Sequence, residues 1–259
     1  MASSSILIIP AAGLGTRLNT STPKLLVQVG GKTMVDRLLD LYDAVVGRVI
    51  LVLHPSFEAA VREHCQNRPR VSYARQERPT GMLDAILNPI ADARLDNPAR
   101  VWITWCDQVA IHPDTVDRLR RLSEQPVAAP LIFPTATRDA PYVHLVRDGL
   151  GRILDIRHQR EGDEMPAVGE SDMGLFSLSR TAYFDRLVAF AAEVEPATKT
   201  RERNFLPFIP WLSQQGAVVE TFPCRDHEEA IGVNTPDDLH VIERYLARRD
   251  GTAGPLTTP

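Results

Sequence analysis

The stretch that most constrains this chain is the apolar run Ile6-Leu7-Ile8-Ile9, followed at once by PAAGLGTRLNTSTPK, which ends at Lys24. The run reads as a buried strand that ends at Pro10, after which small residues and two glycines, Gly13 and Gly15, carry the backbone through a tight loop. With no Cβ at Gly13 and Gly15, the main chain can come within hydrogen-bonding range of phosphate oxygens. Consecutive N–H groups in that geometry form an anion-binding concavity. Arg17 and Lys24 bring two cations to the same loop, one a planar fork and the other a mobile point charge. A lone Gly-x-Gly marks no more than a strand-to-helix turn with solvated charges. The strand, AAGLGTR, Pro23-Lys24 and Gly30-Gly31-Lys32 in series point to a nucleotide-phosphate role.

What surrounds this loop is ordinary for a globular α/β chain. At 259 residues and 44% apolar, with no Pro/Gly/Ser-rich linker, the chain is expected to build one domain over residues 1–248, followed by a frayed tail over 249–259. The start, Met-Ala-Ser-Ser-Ser, has no basic residue and runs straight into the first strand, unlike a signal peptide. A net charge of -4 argues against a general nucleic-acid or membrane-surface binder and for small-molecule partners. Cys65, Cys106 and Cys224 are scattered, odd in number and without CxxC spacing, so neither a zinc site nor a disulfide framework is indicated and a reducing cytoplasm is expected. No apolar run approaches the ~20 residues of a membrane-spanning helix.

Along the chain, strand and helix alternate. Thr33 can cap a helix whose apolar face is Met34, Leu38, Leu39, Leu41 and Tyr42, closed by Gly47. Val49 to Leu53 is a second strand. Pro55 starts a helix with Phe57, Ala60, Val61 and Cys65 inward; Val71 to Ala74 is a strand, Met82 to Ile90 a helix, Val101 to Trp105 a strand. Such alternation implies right-handed crossovers and a mostly parallel, Rossmann-like doubly wound sheet, with ligands at the strands' carboxyl ends. That rule puts the Pro10 loop, Gln76 to Gly81, and Cys106-Asp107 on one rim. In the second half, Val127 to Phe133 reads as a strand, and Tyr142 to Arg147 with Arg152 to Arg157 as an antiparallel hairpin forming a lid. Met173 to Leu178 and Ala217 to Phe222 are further strands, Thr181 to Ala192 and Phe205 to Gln215 helices. Thr235-Pro236-Asp237-Asp238 opens a terminal helix. There are no internal repeats.

The Pro10–Lys24 segment resembles the pyrophosphorylase signature of the sugar-phosphate nucleotidyltransferases. Its spacing is most similar to that of the uridyltransferase domain of bacterial N-acetylglucosamine-1-phosphate uridyltransferases. Further matches at Gln76 to Ala85, Cys106-Asp107 and Gly232-Val233-Asn234 extend the resemblance to about residue 247. It implies a nucleotide-diphospho-sugar transferase fold. On the nucleotide side it implies contacts from Ala11, Ala12, Gly13, Gly15, Thr16 and Asp107, with the Gln76 amide and Gly81 backbone reading a pyrimidine edge. It also implies Arg17 on the triphosphate, Lys24 near the acceptor phosphate, and Mg²⁺ held by Asp107 and Asn234. No hexapeptide repeats follow, so the acetyltransferase half of some relatives is not expected in this chain.

Residue chemistry agrees with parts of this. Asp107 directly follows the strand VWITWC, where a carboxylate can hold a hard cation against phosphates. Mg²⁺ keeps several waters and takes only one or two protein oxygens, so an Asp and an Asn carbonyl suffice, although Asn234-Thr235-Pro236 is also a good helix start. An amide presents donor or acceptor, so Gln76 leaves UTP and CTP both open. The sequence departs from the family at Met82-Leu83-Asp84, where the uridyltransferase has smaller, polar residues. It departs again on the acceptor side, where His158 and Asp172-Met173-Gly174 align with a Glu and an Asn-Thr-Gly that hold the sugar. Arg157, Arg160, Lys199, Arg201 and Arg203 could serve a more anionic acceptor, although a run such as KTRER also reads as a solvated face.

The expected reaction is in-line attack by an oxygen of a phosphorylated acceptor, a sugar 1-phosphate or a non-sugar phosphate or phosphonate, on the α-phosphorus of the triphosphate, releasing pyrophosphate. The nucleophile is already an anion, so no general base is required. Three other readings fit less well. A dinucleotide oxidoreductase would want a third glycine where Leu18 stands and an acidic ribose ligand where the second strand ends in His54-Pro55. A molybdopterin-type nucleotidyltransferase matches AAGLGTR and PK less closely. A nucleotide sensor without catalysis would be marked by loss of Lys24 or Asp107, and both are present. The sequence is compatible with a homo-oligomer.

Overall fold

The computed structural model describes residues 5–13, 18 and 22–251. Its first strand, β1 (Ser5–Pro10), lies in the middle of the main sheet, parallel to β4 (Arg48–Leu53) on one side and to β6 (Arg100–Thr104) on the other. Leu7 and Ile9 point into one core layer and Ile6 and Ile8 into the other. Burial on both faces explains why this strand is an unbroken apolar run. Each such side chain removed from water contributes roughly 1.5–3 kcal/mol.

Between β1 and β4 lie a short ribbon, β2 (Gln28–Val29) with β3 (Lys32–Thr33), and helix α1 (Met34–Tyr42), capped by the Thr33 hydroxyl accepting from the Asp36 amide. Helix α2 (Pro55–His64) has proline in its first turn and leads to β5 (Val71–Arg75), parallel to β4. On α2 the inward positions include Val61 and Glu58, while Ala60, expected inside, is exposed. Glu58 is kept there by Arg62 and Arg75.

The expected helix over 82–90 is two helices, α3 (Met82–Leu87) and α4 (Ile90–Leu95). Pro89 stands at the break, where its ring and missing N–H end the hydrogen-bond ladder. After β6, helix α5 (Pro113–Ser123) was not anticipated, although Pro113 and the spacing of Val116 and Leu119 carry its signal. Strand β7 runs Leu131–Asp139, displaced by about one turn's length from the expected 127–133; Val127 is 94% exposed. The hairpin is as expected: β8 (Val143–Arg147) pairs antiparallel with β9 (Ile153–His158). Strand β10 (Val168–Asp172) was missed because its buried positions are Gly169 and Ser171, which leave no hydrophobic alternation.

Strand β11 (Leu175–Ser179) lies antiparallel between β6 and β7. A helical stretch from Ala182, ending in α6 (Leu187–Glu193), precedes α7 (Phe208–Gln214), β12 (Val219–Pro223) and α8 (Pro236–Arg249). The sheet order is β10-β7-β11-β6-β1-β4-β5, with β12 parallel to the first half of β7. The fold is therefore mixed α/β with a mostly parallel, Rossmann-like centre, and the order in which the chain lays down its strands reverses between the parallel neighbours β1 and β6, from β4 and β5 on one side to β6 on the other. The loops leaving those two strands open at this switch point, where open sheets bind ligands. Among the described residues no helix is long and apolar enough to cross a membrane.

Candidate active site

Lys24 leads a short 3-10 turn whose next residue, Leu25, is buried in the core. That anchor aims the Lys24 ammonium inward, 3.1 Å from Asp107 Oδ2 and 3.0 Å from Asn234 Oδ1. Three residues spread over 210 positions of sequence thus meet at one point. Asp107 follows β6, and its carbonyl accepts from the Val233 amide at 3.1 Å, which ties the strand end to the Gly232-Val233-Asn234 segment. A Cβ at Gly232 would stand 3.1 Å from Asp107 Cγ and 3.3 Å from Asn234 Nδ2, so the glycine permits this approach. Asn234 is held in turn by the start of α8: its amide and that of Thr235 donate to Asp238, within a capping box.

The donor set suits a hard cation. Asp107 Oδ1 is buried with no hydrogen-bond partner among the described residues, and an amide carbonyl stands beside the same ammonium as Asp107 Oδ2. Among the described residues no three His, Cys, Asp or Glu side chains gather into an all-protein cage. One carboxylate and one carbonyl are what Mg²⁺ takes when water and phosphate complete its shell. Neighbouring Cys106 is no nucleophile, since burial pushes its thiol up to about 11.

One cavity adjoins this point, and a second, smaller one borders that cavity. The smaller, about 130 Å³, is lined by Pro10, Ala12, Gly13, Gln76, Gly81 and Ala85 among others. Ala11 and Ala12 are buried, whereas a Cβ on Gly13 would meet nothing within 4 Å among the described residues. Gln76 is 7% exposed, and its Nε2 lies 3.4 Å from the Gly81 carbonyl. Gly81 has φ +127° and sits against the Arg203 backbone, 2.4 Å from where a Cβ would be. Arg203 itself pairs with Asp84 and braces this turn through Thr80 and Leu83. It therefore supports the Gly81 turn from behind the smaller cavity. Gly15, Thr16 and Arg17 lie outside the described residues.

The larger cavity, about 390 Å³, contains Asp107 and Asn234 in its wall together with Trp105, Gln108, Arg138, His158, Asp172 and Glu202. Met82 and Glu202 border both cavities. The hairpin reaches it through Tyr142, Val143 and His158 and is pinned to β10 by Arg147, which donates from Nε and Nη2 to Glu170 at 2.7 and 2.8 Å. Burial lowers the pKa of His158, leaving a neutral ring packed on Tyr142 at a centroid distance of 5.0 Å. Burial raises the Asp172 carboxyl to about 6, against the Gly174 amide that donates to it at 2.8 Å and the charge of Arg138. Gly174, at φ +65°, leaves room for the Trp105 indole.

Of the basic run, Lys199 and Arg201 are exposed, Arg160 lines the cavity 3.9 Å from Glu202, and Arg157 donates to the Glu164 carbonyl. Sequence reasoning missed Arg138, Trp105 and Gln108. Arg138 lies on the second half of β7, where Pro134 and Thr135 interrupt any apolar pattern. Its only signal was a cation close to the hairpin.

A family model for the MobA-like NTP transferase domain matches residues 7–171. The bifunctional protein GlmU of Solibacter usitatus is 29% identical over 250 residues, covering 94% of this chain and 52% of its own length. GlmU of Heliobacterium modesticaldum is 27% identical, with 93% and 52% covered, and that of Carboxydothermus hydrogenoformans 27%, with 95% and 54% covered. The chain spans about half the length of these curated relatives.

Proposed function

The chain belongs to the MobA-like NTP transferase domain family and is a nucleotidyltransferase, and from that premise we propose that it moves the NMP of a pyrimidine triphosphate onto a phosphorylated small molecule, a sugar 1-phosphate first among them. The observation that carries this reading is Lys24, held 3.1 Å from Asp107 and 3.0 Å from Asn234 beside a cavity large enough for an acceptor.

An oxygen of the acceptor phosphate attacks the α-phosphorus; the bond to the bridging oxygen breaks and pyrophosphate leaves. Asp107 and Asn234 would hold a Mg²⁺, which neutralises charge on the triphosphate. Lys24 exchanges its protein oxygens for phosphate oxygens and offsets charge that grows in the transition state. The Pro10–Gly13 backbone lies along the base cavity, and Gln76 and Gly81 present polar groups to the ring edge. The 130 Å³ of that cavity supports one ring over a fused pair. Because the Gln76 amide suits either pyrimidine, CMP transfer to a non-sugar phosphate or phosphonate is the second reading.

A pyrophosphate-release screen tests this, crossing the four ribonucleoside triphosphates and thymidine triphosphate with phosphorylated sugars, phosphonates and other phosphate esters. Release with UTP or CTP and one acceptor class is expected. A purine preference would overturn the base assignment, and no release with any pair would overturn the reaction.

A further inference from the structure

A buried polar atom left without a partner costs about 1–3 kcal/mol, so such atoms are few in folded proteins. Among the described residues six side-chain atoms qualify, and four of them, Asp107 Oδ1, Gln108 Oε1, Arg138 Nε and His158 Nδ1, belong to residues lining the larger cavity. Asp107 is accounted for by Lys24 and the proposed cation. His158 and Gln108 are neutral and suit hydroxyl or amide groups.

Arg138 is different because it carries a full charge. Its Nε is buried, and among the described residues no carboxylate pairs directly with its guanidinium. Asp172 and Asp238 act on it through space, but Asp172 Oδ1 is turned to the Gly174 amide and Asp238 accepts from the Asn234 and Thr235 amides. The other cavity arginine, Arg160, has Glu202 at 3.9 Å, and Arg203 on the base side has Asp84. Burying a cation without a direct counter-charge is unfavourable, and a neutral hydroxyl would leave most of that charge uncompensated. A planar fork of N–H donors matches the two oxygens of a carboxylate or phosphate. The reacting phosphate already has a place, at Lys24, Asp107 and Asn234.

We propose that Arg138 is the receptor for a second anionic group on the acceptor, so that the acceptor carries a carboxylate or a further phosphate besides the phosphate that attacks. This rests on the nucleotidyl-transfer reading and narrows its substrate class. Arg138 is then a specificity-determining residue supplied by β7 to the same cavity that Asp107 and Asn234 line.

The test uses matched acceptors with the preferred triphosphate: glucose 1-phosphate against glucuronic acid 1-phosphate and against glucose 1,6-bisphosphate, and glycerol 3-phosphate against 3-phosphoglycerate. An acidic member is expected to exceed its less charged partner in kcat/KM by about tenfold or more, and which pair does so separates carboxylate from phosphate. Arg138→Met should lower that value roughly 10- to 100-fold, mainly through KM, and leave the partner and calorimetric triphosphate binding within about threefold; Arg138→Lys should recover part of the loss. Equal or better use of the less charged member in every pair overturns the inference while nucleotidyl transfer stands. So does an equal loss on both members in Arg138→Met. If no acceptor of any kind releases pyrophosphate, the transfer reading falls, and this one with it.

Discussion

Glu229 and the lining of the larger cavity are both buried polar clusters, and they are completed in opposite ways. Glu229 is fully buried and accepts from the His112 amide at 2.6 Å, the Thr115 hydroxyl at 2.9 Å, and the Arg225 and Asp226 amides at 2.8 and 3.1 Å. One carboxylate thereby ties the approach to α5, α5 itself and the segment before α8 into a closed knot. Around the cavity, Asp107, Gln108, Arg138 and His158 each keep a buried atom that has no partner among the described residues. The chain supplies every partner for the first cluster and withholds them from the second. Saturation of this kind marks a structural group, and its lack marks a place where a ligand completes the set.

Substitutions can break this contrast, beginning with the largest effect. Asp107→Ala should lower kcat by about a thousandfold or more, some 4 kcal/mol of barrier, while leaving the fold intact. Turnover assays beside thermal unfolding would show it, and near-normal turnover in a well-folded variant would remove Asp107 from the chemistry. Glu229→Ala should do the reverse, costing about 3 kcal/mol of stability because it strands four donors, with little change in KM for the protein that stays folded. Denaturant titration measures the loss.

Asp172 sharpens the comparison through pH. Burial raises its carboxyl to about 6 in the folded chain against an ordinary value of 3.8, so the folded state binds its proton more tightly. Its contribution is therefore fully present below pH 3.8 and lost as pH rises to about 6. Between those limits the wild type should lose about 1–3 kcal/mol relative to Asp172→Asn, which lacks this titration. Unfolding free energies of both proteins across pH 4 to 7 check the sign; parallel profiles would show that Asp172 is not held in this way. The smallest effect belongs to the base side, where Gln76→Ala should raise KM for the triphosphate about 3- to 10-fold and leave kcat nearly unchanged, because an edge hydrogen bond is made in ground and transition states alike.

Much of the architecture was legible because local chemistry and global position agree. Thr33 and Thr235 sit at helix starts with their hydroxyls on backbone amides, and Pro55 and Pro236 occupy first turns. Strand β1 announces itself by burying both faces. What stayed hidden lacked a local signature: β10 buries glycine and serine, β7 continues through a proline and a threonine, and the break at Pro89 hides inside an apolar run.

The same division holds for the site. The order of strand, glycine loop and Pro23-Lys24, and the Asp at the end of VWITWC, determined by themselves the sheet type and the rim on which Lys24 and Asp107 lie, since turn geometry and strand ends are local properties of a few consecutive residues. Only the tertiary structure decided that Lys24 reaches Asp107 and Asn234 together, that Arg203 braces Gly81, and that Arg138 lines the larger cavity with no direct counter-ion among the described residues. Each of those facts depends on which distant segments are packed against one another, and on how much water that packing removes from a charge.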